Sequence, residues 1–393
     1  MLALSEADAA LGHLLGLGHL ITDPHLLIGP YVTREALASS RIEGTQASLA
    51  EVLQAGAEAE ADEAERASGD VAEVEAYVKA TYRGLELIQT LPITQRLMLD
   101  VHRVLLTGVR GEARLPGQLR RSPVWVGSPT DSPDTAVFVP PLPEHLGGLL
   151  SDWERFVNEP GPTPALIRCA LMHYQFETIH PFLDGNGRIG RLLIGLLLHQ
   201  EGRLTTPLLY LSGYLEAHRR EYYERLQAVR ERGAVQQWLQ FFLTAVQRQA
   251  VDGVDRAGEL VRLREGWVSE ATRSRSRVGE LIPLLFANPF VTVRRVETAL
   301  GVTNQGGRNL IRDAEARGWL AMTHVRGRGR RQYWLARKVF EIIEAPPLYE
   351  RRRSAEAGAG SDSTRFAAED HEDMPAVGEP ARPDRANAPR GTL

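Results

Sequence analysis

Residues 169–200, CALMHYQFETIHPFLDGNGRIGRLLIGLLLHQ, constrain the fold more than any other stretch, because two apolar helical patterns meet there across a short polar loop. A helical pattern runs into Ile179, and Pro181 disfavours a helical conformation at His180. A second helix is expected from near Gly187. Its apolar residues Ile189, Leu192, Leu193, Leu196 and Leu197 fall at i, i+3, i+4, i+7 and i+8. Helical spacing also fills residues 1 to about 55, with Gly and Pro breaks, and Val71 to about Ala250. The expected class is mainly α. One interruption, PGQLRRSPVWVGSPTDSPDTAVFVPP, holds two short β-type runs, VWVG and AVFV, and predicts a β-hairpin inserted between helices.

The loop from His180 to Gly187 has the makings of an anion site. The first amides of a helix lack partners and point along the positive end of its dipole. Gly185 and Gly187 let the backbone bend and approach phosphate oxygens. Arg188 and Arg191 are three apart in the first turn and can reach the same anion. Asp184 is placed to hold a hard cation such as Mg²⁺ together with phosphate oxygens. His180 is the one group there that titrates near neutrality, suited to taking a proton from a hydroxyl. Together these residues fit nucleophilic attack on a nucleotide phosphate. GNGRIG also matches G-x-G-x-x-G, but no strand precedes it and no acid lies ~20 residues on, against a dinucleotide site. A metal hydrolase using Glu177, His180 and Asp184 is disfavoured, since it would have a single His ligand.

Composition removes other classes. The 393 residues are 43% apolar and 24% charged, with 46 basic against 50 acidic side chains, the balance of a globular chain long enough for two or three domains. The lone Cys169 excludes a disulfide framework and cysteine-rich zinc modules. Neither lysine, Lys79 or Lys338, lies in a P-loop. The longest apolar run, near Leu192 to Leu198, is far short of the ~20 residues a membrane helix needs. The opening MLALSEADAA has no basic flank, so a cytoplasmic location without membrane partners is expected. Residues 57–66, AEAEADEAER, read as an exposed helix or connector. The expected divisions are an N-terminal helical region (1–70), a core (71–250), a linker helix (251–279), a helix-turn-helix unit with a Gly/Arg wing (280–350) and a disordered tail (351–393) poor in large apolar residues.

The stretch HPFLDGNGRIGR resembles the core motif of the Fic family, H-P-F-x-D-G-N-G-R-x-x-R, at every specified position. The segments VHRVLLTGVRG, PGQLRRSPVWVG, FVPP and LYLSGYLEAHRREYYERL, and the winged unit, are similar to the common bacterial Fic architecture. The resemblance implies a helical Fic fold with a β-hairpin flap, followed by a winged helix-turn-helix domain. It further implies transfer of AMP from ATP, with Mg²⁺, to a Ser, Thr or Tyr hydroxyl of a target protein. Carried over by residue, His180 would be the base and Phe182 a packing support for the loop. Asp184 would ligate Mg²⁺, and Gly185, Asn186 and Gly187 would form the anion hole. Arg188 would hold the β- and γ-phosphates and Arg191 the γ-phosphate. The hairpin around residues 117–127 would pair with an extended target segment. A homodimer is a further family expectation.

SSRIEG, residues 39–44, fits the family's inhibitory pattern [S/T]-x-x-x-E-[G/N] through Ser39, Glu43 and Gly44, on a helix expected over about 33–44. Glu43 would then face the negative end of its own helix dipole, which points to an external partner, and the family supplies Arg191. A Glu43–Arg191 pair would force ATP into a non-productive pose. From Val302 to Lys338 nine basic residues face two acids. Arg326, Arg328, Arg330 and Arg331 fall on the wing, while Asn304, Gln305 and Arg308 open the second helix, a pattern open to DNA contact or to protein docking. Two rival functions stay open: a DNA-binding regulator switched by self-AMPylation, and a net deAMPylase.

Overall fold

The computed structural model describes residues 1–20, 25–59, 69–127, 130–323 and 332–351. The N-terminal part comprises α1 (Leu2–Leu20), α2 (His25–Ile42), α3 (Leu49–Ala59) and α4 (Asp70–Leu87). The central part adds α5 (Gln95–Leu106), α6 (Leu146–Asn158), α7 (Ala165–Ile179), α8 (Asn186–Gln200), α9 (Leu211–Ala217), α10 (Arg219–Arg232) and α11 (Val235–Thr272). The C-terminal part runs α12 (Leu281–Ala287), β1 (Phe290–Val291), α13 (Val293–Leu300), α14 (Asn304–Ala316), β2 (Ala321–Thr323), β3 (Tyr333–Leu335) and α15 (Arg337–Glu344).

Helix α8 forms the centre. It is buried nearly all round, from Ile189 to Leu198, as expected of a helix apolar on every side. Helix α7 packs along it and is buried from Leu166 to Ile179. Two fully buried indoles fasten α7 in place: Trp153 donates to the Met172 carbonyl at 3.1 Å and Trp238 to the Ala170 carbonyl at 2.9 Å. α4 and α5 lie against the same core, the latter started by Thr94, whose side chain accepts from the Leu97 amide. Among the described residues no helix is long and apolar enough to cross a membrane.

The expected divisions change in three places. The break at residues 250/251 does not exist. α11 is a single helix of 38 residues, about 57 Å at 1.5 Å per residue, and its buried stripe runs from Trp238 through Val246 and Leu260 to Trp267. Nor does the C-terminal part hang on a linker. α12 packs on α2, the Asn288 amide donates to the Leu53 carbonyl at 2.7 Å, and residues 1–348 form one compact unit. The helix expected over about 33–44 begins at His25, continuing through Pro30 because Tyr31, Val32, Ala36 and Leu37 all bury.

The insert between α5 and α6 departs further from expectation. The predicted hairpin condenses to one antiparallel bridge, Val126 with Phe138. Pro123 and Pro140, which flank the two runs, have no backbone N–H with which to extend the ladder. In the C-terminal part, α13 ends on Gly301 in the left-handed conformation (φ 62°) and α14 starts on the Thr303 side chain, which accepts from the Gly306 amide. The three strands pair antiparallel in the order β1-β3-β2, with Phe290 opposite Leu335 and Met322 opposite Trp334. Arg326, Arg328, Arg330 and Arg331, the tail from residue 352, and residues 60–66 of the acidic run lie outside the described residues.

Candidate active site

His180 ends α7 in the left-handed conformation, φ 51° and ψ 61°, unusual for a residue with a side chain. Arg120 imposes it. Its buried guanidinium donates to the carbonyls of His180 (2.8 Å) and Ile179 (3.4 Å) and also reaches Pro141, while its amide donates to the Pro181 carbonyl at 2.9 Å. The turn is closed by Asn186, whose side chain accepts from the Phe182 amide and donates to the Phe182 carbonyl, both at 2.9 Å. Phe182 is fully buried and stacks on His102 at 3.7 Å with the rings 8° from parallel. The Gly117 amide donates to His102 Nδ1 at 2.9 Å, so Nε2 carries the proton and donates to the Asp184 carbonyl at 3.0 Å. Burial lowers the His102 pKa to about 4, keeping the ring neutral and this tautomer in place.

The loop leads into α8 through Gly185 (φ 78°), and the amides of Asn186, Gly187 and Arg188 have no hydrogen-bond partner among the described residues. Arg188 is buried. Its Nη2 lies 3.3 Å from Asp184 Oδ1, and its Nε and Nη1 have no partner. Buried donors this strong are rarely left unpaired, so both point to an anion. Asp184 Oδ1 also accepts from the Gly185 amide at 2.6 Å, and its side chain is 39% exposed.

His180 lies beside this cradle. Burial lowers its pKa to about 4, so the imidazole is neutral at physiological pH. Its Nδ1 sits 3.4 Å from the Glu177 carbonyl, which accepts the ring proton and leaves the Nε2 lone pair for an incoming hydroxyl. Glu177 points away from the loop, under Gly190, whose missing side chain gives its carboxyl room. Burial raises the Glu177 pKa to about 7. Among the described residues no three His, Cys, Asp or Glu side chains converge on a metal position, so Glu177, His180 and Asp184 do not form a ligand set.

α2 reaches the cradle from the other side. Its end is a Schellman cap, with Thr45 donating to the Ser40 carbonyl and Gly44 (φ 103°) to the Arg41 carbonyl. Glu43, on the last position before Gly44, turns to Arg191. The Arg191 Nη2 lies 2.6 Å from Glu43 Oε1 and 2.9 Å from the Ser39 carbonyl, and Nε donates to Ser39 Oγ at 2.9 Å. Burial opposes a charge on Glu43, yet Arg191 holds its pKa below the ordinary carboxylate value. A Cβ placed on Gly187 would overlap the Glu43 carboxylate and stand 2.9 Å from Arg191 Nη1. The carboxylate therefore lies over the first turn of α8, where an anion would be drawn. Arg308 is exposed on α14, where its Nε donates to Asn304 Oδ1.

Three side chains here were not singled out from the sequence. His102, Arg120 and Arg230 hold the loop from outside it. Arg230 donates to the Glu177 carbonyl at 3.1 Å and to Thr178 Oγ1 at 3.2 Å, and stacks 3.8 Å from the Phe138 ring. The first two lie in the stretches VHRVLLTGVRG and PGQLRRSPVWVG. Buried capacity for hydrogen bonding in otherwise apolar or turn-rich segments was the available signal.

A helical core that delivers a His-led loop and an arginine-lined helix N-terminus to one anion position defines the class. Residues 1–86 match the family described as Fic/DOC family N-terminal, and residues 92–198 the Fic/DOC family. Over these residues the chain is similar to the Fic/DOC family. The protein adenylyltransferase Fic of Drosophila yakuba is 37% identical over 123 residues, 31% of this chain and 23% of that protein. Its counterpart in Culex quinquefasciatus is 34% identical over 158 residues, 40% of this chain and 28% of that protein. The chain thus spans about a quarter of these relatives. The crystal structure of a Fic family protein from Desulfovibrio desulfuricans G20 shares the fold, with a TM-score of 0.52 and 21% identity over 86% of this chain and 96% of the other.

Proposed function

We propose that this chain transfers AMP from ATP to a hydroxyl of a target protein and that Glu43 restrains the reaction. The observation that carries the reading is the anion cradle: three amides without partners at the start of α8 and two unpaired buried donors on Arg188, beside a neutral His180. Relatives named protein adenylyltransferase Fic support it. In this reading the Arg188 guanidinium and the amides of Asn186, Gly187 and Arg188 bind the phosphates, the Gly185 amide being held by Asp184, and Arg191 grips the γ-phosphate once Glu43 leaves.

His180 Nε2 takes the proton of the target hydroxyl as its oxygen attacks the α-phosphorus. The bond from that phosphorus to the β-bridging oxygen breaks, and diphosphate departs. The half-exposed Asp184 carboxylate fits a Mg²⁺ carried on the phosphates, since that ion is held through one or two carboxylates with most ligands from phosphate and water. Bound there, the ion would neutralise charge on the phosphate oxygens. Around the Val126–Phe138 bridge, Trp125, Val137 and Val139 are exposed, an apolar rim on which an extended target segment would lie.

The test is incubation of the Glu43→Gly chain with Mg²⁺ and ATP labelled in turn at the α- and γ-phosphates, alone and with a cell extract. Protein-bound label is expected from the α-phosphate only and is lost with His180→Ala. Label that persists in His180→Ala, or that comes from the γ-phosphate, rejects the reading.

A further inference from the structure

We propose that the exposed face of α14 is a reading surface for duplex DNA. One side of this helix, Gly307, Leu310, Ile311 and Ala314, is buried against the rest of the module, as i, i+3, i+4 spacing requires. The opposite side presents Asn304, Gln305, Arg308, Asn309 and Arg312, all exposed. It holds one acid, the half-exposed Glu315 near its C-terminal end, and no apolar side chain larger than the methyl of Ala316. The other acid of the helix, Asp313, is tied to Arg317 at 2.9 Å. A face without large apolar side chains is poorly suited to docking a protein, whose interface cores are depleted of charge.

The side-chain chemistry is that of base recognition. Arginine donates in pairs to guanine O6 and N7, and asparagine or glutamine pairs with adenine N6 and N7. These groups already occupy one another in a ladder: Arg308 Nε donates to Asn304 Oδ1 at 3.0 Å, Gln305 to Asn309 Oδ1 at 3.0 Å, and Arg312 Nη1 to Asn309 Oδ1 at 3.2 Å. Such exposed bonds are cheap to exchange for base edges, and they hold the side chains together on one stripe. The chain carries a net charge of −4, so a stripe led by Arg308 and Arg312 is a local feature of α14 and not a property of the whole surface. α12 of the same module packs on α2, within one compact unit. A duplex on α14 would therefore travel with the cradle at α8, and proteins assembled on DNA become the targets within reach. The surface is independent of the transfer reaction proposed above.

Fluorescence anisotropy of the full chain with a labelled random-sequence duplex pool, without nucleotide, tests the proposal. Binding is expected, weakening as salt rises. At a slope of about −0.9 per phosphate contact, two contacts already lower affinity roughly tenfold from about 50 to 200 mM salt. Arg308→Ala with Arg312→Ala should weaken binding at least tenfold at an unchanged melting temperature, both side chains being exposed. Asn309→Ala should alter the base preferred after selection from the pool. No anisotropy change at the lower salt, equal binding by the double variant, or equal competition by single-stranded DNA or by duplex RNA would each overturn it.

Discussion

Replacing Glu43 by glycine should release Arg191, and the size of the effect can be worked from the contacts. Three bonds hold the guanidinium: Glu43 Oε1 at 2.6 Å, Ser39 Oγ at 2.9 Å and the Ser39 carbonyl at 2.9 Å. The glycine variant deletes only the first. A hydrogen bond to a charged group contributes about 1.5–3 kcal/mol net. The Glu43 side chain is 35% exposed, so solvent screening places it near the lower end, about 1.5–2 kcal/mol. At 1.36 kcal/mol per tenfold, AMP incorporation and affinity for an ATP analogue should rise roughly ten- to thirtyfold. Glu43→Gln, which keeps an acceptor without the charge, should fall between wild type and Glu43→Gly. Ser39→Ala removes a neutral acceptor and should raise the rate by a smaller factor. Arg191→Ala in the Glu43→Gly background should cancel most of the gain. The reasoning fails if Glu43→Gly leaves both nucleotide affinity and rate where they were, because the carboxylate would then not compete with phosphate for the start of α8.

Two further variants probe the supports of the loop. Arg120→Ala frees the carbonyls of Ile179 and His180, so transfer should drop at least tenfold. Arg120→Lys should not restore it, since one ammonium cannot reproduce the fork; full activity in Arg120→Ala would refute the positioning argument. Glu177 bears on stability: its pKa of about 7, against 4.5 for a free glutamate, means the folded chain keeps a proton that the unfolded chain loses. That stabilisation is full below pH ~4.5 and is lost as pH rises to ~7, and 2.5 units at 1.36 kcal/mol each come to about 3 kcal/mol. Urea melts should show Glu177→Gln gaining on wild type by an amount that grows between those pH values, and a pH-independent difference would rule this out.

What the sequence disclosed and what it concealed follow from the range of the interactions. The α7–loop–α8 unit was legible because its determinants are local. Pro181 acts on His180, glycines bend the next turn, and the stripe from Ile189 to Leu197 can bury only one way. The Schellman cap at Gly44 was legible for the same reason. The flap was legible in its pairing but not in its extent: VWVG and AVFV meet antiparallel at Val126 and Phe138, yet strand propensity is realised only where a neighbouring edge supplies partners, and here one bridge forms. The division at residue 250 was misread because polar composition marks a surface face, and α11 carries such a face while its other side stays buried to Trp267. His102 and Arg120 escaped notice because their partners lie 60 or more residues away, at Asp184 and His180, and no local pattern encodes such a meeting. Glu43 falls between these cases. Its place at a helix end that disfavours negative charge is a local oddity, and the explanation is distant: the acid at the wrong end of α2 sits at the right end of α8. One carboxylate thereby offsets the positive end of a buried helix and the charge of Arg191, and in the function proposed above a nucleotide phosphate would compete with it for that position.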